Sequence, residues 1–320
     1  RPTRRLSRHR QVYMSRNAFG LFALTATLIL SSLFPLLPYT ESAYADTAVT
    51  RHVYNGQDLQ AAIRTATSGQ QIIVHQGTYN TVWLGDLAFP QTVSVVAAQN
   101  ETATVASVTL LRVDNLALRG LNIVGAITVN NADDIAIDSN QIGGGIKVRD
   151  GATRTSITDN VITGGSTGIW VHNVGTAPSV NDVIITGNSV SQQTDDAISL
   201  GIANNVLIEG NDLFDTIDTS QHNDAVQISG GNHIVVRSNR MWNHDESLMF
   251  KSEPSMGSGM VVTDVRVENN IIHHNRGAGI IVGGGVDGVD FVNNTVFDNP
   301  FASLHLEGSN THIRAWNNVL

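Results

Sequence analysis

The sequence predicts an all-β fold: one chain wound as a right-handed parallel β-helix behind an N-terminal capping helix. Three observations carry this reading. An Asn followed two residues later by an apolar side chain recurs at Asn140, Asn160, Asn188, Asn211, Asn239, Asn270, Asn294 and Asn318, at intervals of 20, 28, 23, 28, 31, 24 and 24 residues. That is the length of one coil, in which short strands pair in parallel with the coils above and below. A five-residue strand also repeats in phase ahead of each later Asn, and 29 glycines with only 15 % charged residues favour strands and tight turns over helices.

Residues 1–45 stand apart from the repeats. Residues 1–16 are basic, residues 18–37 are largely apolar, and Ala43, Tyr44 and Ala45 give the small-x-small pattern of a signal-peptidase site. Mature protein is expected to begin near Asp46, with Met14 as a natural start and residues 1–13 upstream of it. The alternative is an uncleaved membrane anchor, since about 20 apolar residues can span a bilayer. A secreted or periplasmic protein is expected, with residues 46–320 forming the β-helix domain.

Within that domain, residues 58–66 have helical spacing with Asp58 as N-cap, and a helix there would cover the open end of the first coil. Residues 69–79 begin the coils. The chain stops at Leu320, directly after a repeat Asn, so a truncated C-terminus is expected. The chain has no cysteine, which excludes disulfides and thiolate metal sites. Taking the six Arg and one Glu of residues 1–45 from totals of 19 basic and 28 acidic residues leaves 13 and 27, a net charge of −14. Nucleic acid is thereby excluded as a partner, and an acidic glycan would need local cations or a bound metal to offset the field.

The repeat sets a register. Each Asn is expected at a sharp bend, in αL geometry, with its amide bonded to the same Asn one coil away. In the aligned strands the second and fourth positions are apolar and point inward. The third positions, Trp170, Ser199, Gln227, Met249, Ile281 and His305, form one outward column, and His172, Lys251 and Glu307 belong to another. Trp170, Gln227 and Met249 are candidate sugar contacts.

Immediately before the strands the column reads Thr167, Asp196, Asp224, Glu246, Ala278, Ala302, and two positions earlier it reads Gly165, Thr194, His222, His244, Arg276, Pro300. Three carboxylates about 4.8 Å apart repel unless protonated, paired or bridged by a cation, so Asp196, Asp224 and Glu246 are expected to hold a hard metal, Ca²⁺ before Mg²⁺. A bound divalent ion would also lower the pKa of Lys251 and suit it as a base. The plainer alternative is that Asp196 and Asp224 only cap turns.

These residues carry a resemblance. The helix-then-strand opening that ends in Gly77, Thr78 and Tyr79, together with the Asn-marked coils, resembles the pectate-lyase-like superfamily over nearly all of residues 50–320. The segment from Glu246 to Lys251 is similar to that of the alginate lyase and chondroitinase B family, in which a calcium-binding Glu precedes the catalytic Lys by five residues and a catalytic Arg follows on the next coil. The resemblance implies calcium at Glu246, Lys251 as base and Arg276 assisting. It departs at His244, where that family has a further Glu, and in an insertion around residues 256–259. Thr194, Asp195 and Asp196 are similar to the Asp-Asp segment of polygalacturonases, although that family's other catalytic Asp and its Arg-x-Lys motif are missing.

The expected activity is β-elimination, or a related C5-epimerisation, on a uronate-containing polysaccharide by a monomer. Lys251 is the base, Arg276 stabilises carboxylate or leaving group, His222 or His244 donates a proton, and Asp195 lies among the substrate contacts. The alternatives are a polygalacturonase-like hydrolase and a non-catalytic glycan-binding or adhesin β-helix.

Overall fold

The computed structural model describes residues 49–175, 177–217, 222–252, 254 and 260–320. The expected signal segment at residues 1–45 and the insertion at residues 256–259 lie outside the described residues. Among the described residues thirty strands pair in parallel, in sheets of 20 and 10 strands, and wind a β-solenoid of about 11 turns.

The interior is built from alternate strand residues. Ile146, Ile169, Ile198, Val226, Leu248 and Ile280 are register partners in one column, each at most 1 % exposed. Each such side chain contributes about 1.5–3 kcal/mol by leaving water, and the stack repeats that gain coil after coil. The residues between them face out: Lys147, Trp170, Ser199, Gln227, Met249, Ile281 and His305 form the complementary column in the expected register. A helix at Leu59–Arg64 follows Asp58, which accepts the Ala61 N–H at 3.0 Å and so satisfies one of its open backbone donors. Its Leu59, Ala62 and Ile63 join the core.

The recurring Asn residues form a continuous buried ladder. From Asn140 to Asn294 each side-chain N–H donates to Oδ1 of the Asn one coil on, at 2.9–3.1 Å. The backbone N–H of the same Asn donates to that Oδ1 as well. The second side-chain N–H reaches a carbonyl of the preceding coil, such as Ile185 from Asn211 and Ile208 from Asn239. The expectation that the Asn itself is left-handed is corrected. Positive φ falls one residue earlier, at Ser139, Asp159, Ser238, Asn269, Asn293 and Asn317 (54–58°) and at Gly187 and Gly210. The chain turns there so that the following Asn keeps its amide inward, in line with its neighbours.

A ladder absent from the sequence reading lies on the ten-stranded sheet. Phe214, Trp242, His273 and Phe297 are register partners, stacked with centroids 4.7, 5.9 and 5.1 Å apart. Their ring faces cover one another, so they hold coil to coil and leave little face for a ligand.

Candidate functional site

Asp224 and Glu246 open the strands Asp224–Ile228 and Glu246–Phe250 and are register partners. Asp196 stands one coil back, its Oδ1 accepting the Asp224 N–H at 3.0 Å. The expected acidic column therefore exists, but it is sunk into the protein: Asp224 is 0 % and Asp196 3 % exposed. Burial, reinforced by the neighbouring Asp224 charge, pushes the Asp196 carboxyl up to about 8, and burial likewise raises Asp224 and Glu246.

His222 relieves this column. Its Nδ1 lies 3.3 Å from Asp224 Oδ2 and its Nε2 3.1 Å from Glu246 Oε2, so one ring is wedged between two carboxylates. The hydrogen bond to Asp224 leads the shift of His222 up to about 9, which makes it a cation at neutral pH. Gln227 Nε2 donates to the same Asp224 Oδ2 at 3.3 Å.

His222, Gln227, Ser229, Met249 and Lys251 line a cavity of ≈ 150 Å³. Lys251 is placed there by the strand that ends at Phe250 and by its backbone N–H to Ile228 O, 3.0 Å. Gly283 on the next coil leaves room for its stem, since a Cβ there would stand 3.1 Å from Lys251 Cγ. Ser229 was missed at sequence level, although it occupies the fifth strand position, as Lys251 does.

Several expected roles are corrected. His244 is fully buried and not in the cavity, which rules it out as a proton donor to a polymer. It occupies an inward polar ladder, its N–H donating to Asn275 Oδ1 while Asn275 donates to Asn299 Oδ1. It thus aligns with Asn275 and not with Arg276. The Arg276 guanidinium is bound to Asp245 Oδ1 at 2.7 Å, to Asn243 O and to Thr216 Oγ1, outside the cavity lining. Asp195 accepts from Thr167 Oγ1 at 3.2 Å. Asp196 beside it is 3 % exposed, with one carboxyl oxygen held by the Asp224 N–H. Trp170 lies three coils from Met249 in the outward column, stacked on His172 at 4.4 Å.

The buried His244 carries a stability prediction. The unfolded chain protonates it near 6.5, whereas burial holds the folded form neutral down to about 4. Between those values the unfolded state binds more protons, so stability falls as pH falls from 6.5 to 4. His244→Asn, which matches the rungs at Asn275 and Asn299, is expected to flatten this decline in Tm; a decline as steep as wild type would refute the assignment.

A family model described as a right-handed β-helix region matches residues 125–320. No curated protein sequence matches the chain. Among solved structures the chain is similar to the A-module of a mannuronan C-5 epimerase from Azotobacter vinelandii, with 14 % identity and a TM-score of 0.60, over 84 % of this chain and 88 % of that one. It is also similar to a pectate lyase from Paenibacillus sp. 0602, with 10 % identity and a TM-score of 0.52, over 70 % and 78 %. The Dettilon tailspike protein gives 13 % identity and a TM-score of 0.51, over 81 % of this chain and 60 % of that one. At such identities the likeness is one of fold.

Proposed function

The chain belongs to the right-handed β-helix family, and from that premise we propose that it acts on a uronate-containing polysaccharide, by β-elimination or by epimerisation at C5. The observation that carries the proposal is the meeting of Lys251 and the cationic His222 in one cavity beside the buried Asp224 and Glu246. The likeness of fold to a mannuronan epimerase and a pectate lyase supports the substrate class.

Both reactions begin with removal of the C5 proton, made acidic by the adjacent carboxylate once positive charge is placed against it. Lys251 takes the proton. His222 sets its charge against the carboxylate and the electron density that grows there, while Gln227 and Ser229 offer hydrogen bonds to sugar hydroxyls and Met249 an apolar wall. Expulsion of the 4-linked oxygen then gives elimination; return of a proton to the opposite face gives the epimer.

The resemblance also implies calcium. Asp224 Oδ1 is buried with no hydrogen-bond partner, and Asp224, Glu246 and His222 each offer a ligand atom, all within 4.8 Å of one another. These residues would hold a divalent ion with His222 bound as the neutral imidazole, its proton released and its positive charge taken over by the ion; His222 then stands in the place expected for Asp196, whose Oδ1 is occupied by the Asp224 N–H. The imidazole nitrogen in the set suits first-row metals such as Zn²⁺ better than calcium, which takes oxygen ligands. Such an ion would supply positive charge beside the substrate carboxylate. Calorimetric titration with Ca²⁺ is expected to show binding that Asp224→Asn weakens by roughly 10–100-fold; equal affinity in the variant would remove Asp224 from the site.

The function is tested on alginate, pectate and glycosaminoglycans, with and without chelator. Ultraviolet absorbance reports unsaturated ends, and NMR of the polymer reports epimerisation. Activity by either readout supports the proposal, whereas retained glycan binding with neither activity would favour a binding module.

A further inference from the structure

We infer that the outward face from Lys147 to Met249 is a second contact zone for an acidic polysaccharide lying along the solenoid axis, with Lys147 as its anion-binding subsite. This rests on the reading of the cavity as a uronate site. The chain has two lysines. One, Lys251, lines the cavity, and the other stands on the same face, in the column Lys147, Trp170, Ser199, Gln227, Met249. Four strand spacings separate its coil from that of Met249, about 19 Å.

The charge pattern of this face differs from the rest of the chain. The neighbouring outward column over the same five coils reads Arg149, His172, Gly201, Ser229, Lys251. None of these ten positions is acidic, although the chain carries 28 carboxylates. Arginines on these and adjoining coils are paired with carboxylates, Arg149 with Asp150, Arg154 with Asp134, Arg237 with Glu209 and Arg240 with Asp212. Exposed Lys147 makes no ion pair with a described residue. Along those ten positions a polyanion laid from the cavity towards Lys147 meets no carboxylate; Gln227, Trp170 and Lys147 stand proud of the face, while Ser199, 4 % exposed, lies beneath them. Trp170, held by its stack on His172, is the aromatic surface on that path. His222 in the cavity and Lys147 are two cationic points, and one ligand that joins them makes the second contact intramolecular, so length adds affinity only once the ligand reaches both.

The test is calorimetry of the full chain with uronate oligosaccharides of graded length, at low and high salt. Wild type is expected to gain on the order of tenfold in affinity when the oligomer becomes long enough to span about 19 Å, and salt should reduce the gain. Lys147→Ala should lose that step and Lys147→Arg should keep it. If Lys147→Ala shows the same step as wild type, or if short and long oligomers bind wild type equally, the second contact zone is overturned while the cavity reading stands. If no uronate oligomer of any length binds wild type, the cavity reading falls and the inference with it.

Discussion

Replacing Lys251 by alanine is expected to lower turnover of a uronate polymer by about 10²–10⁴-fold, the range for loss of a positioned general base. The loss should appear in kcat with KM nearly unchanged, because the proton is transferred only on the way to the transition state. Lys251→Arg should be as inactive as the alanine variant, since a guanidinium keeps its proton under all working conditions. The side chain is exposed and lies beyond the last strand residue, so the thermal midpoint should move little. Steady-state kinetics on the polymer that the panel identifies, with circular dichroism as the fold control, provide the check. An arginine variant with near wild-type turnover would assign the base elsewhere.

The largest loss of stability is expected in the Asn ladder. Asn211→Ala removes the acceptor of two Asn188 donors, leaves the Ile185 carbonyl without its partner, and takes one donor from Asn239 Oδ1. All three Asn residues are 1 % exposed, so water does not replace these bonds. At about 1–3 kcal/mol for each group left unsatisfied, the cost is roughly 3–5 kcal/mol after relaxation. Asn318→Ala also removes the acceptor of two donors, those of Asn294, but at a partly exposed rung where water can replace them, and should cost much less. Urea unfolding of both variants measures the difference; equal midpoints would mean that the ladder does not carry the stability assigned to it.

The ladder was legible because a buried stack demands one residue type at one point of every coil, and strict alternation fixed the inward and outward columns. What the spacing did not show is the direction taken by residues in the turns. His222 and His244 both stand two positions before a strand, yet one reaches the cavity and the other enters a second inward ladder behind Asn243, whose φ of 60° redirects the chain. The Arg276 guanidinium is held away from the cavity by Asp245, one residue from Glu246, a pairing across coils that the strand register alone does not show. Asp196, Asp224 and Glu246 were grouped correctly by register, but their depth depends on how strand starts sink below the turns. The aromatic stack carried a usable signal, since Phe214, Trp242, His273 and Phe297 each stand three residues after a ladder Asn.

The fixed register also makes the molecule a ruler. Coils of 20 to 31 residues all advance the solenoid by the same step, the excess leaving through loops. The separation of Lys147 from the cavity is therefore counted in whole coils and is indifferent to loop length. Duplicating one coil between them would lengthen the reach by a single graduation of about 4.8 Å and leave the chemistry around His222 and Lys251 untouched. A one-residue insertion within a strand would instead turn inward columns outward. In such a molecule the preferred length of a bound chain and the chemistry performed on it can be altered independently, the first by gaining or losing coils and the second by exchanging side chains.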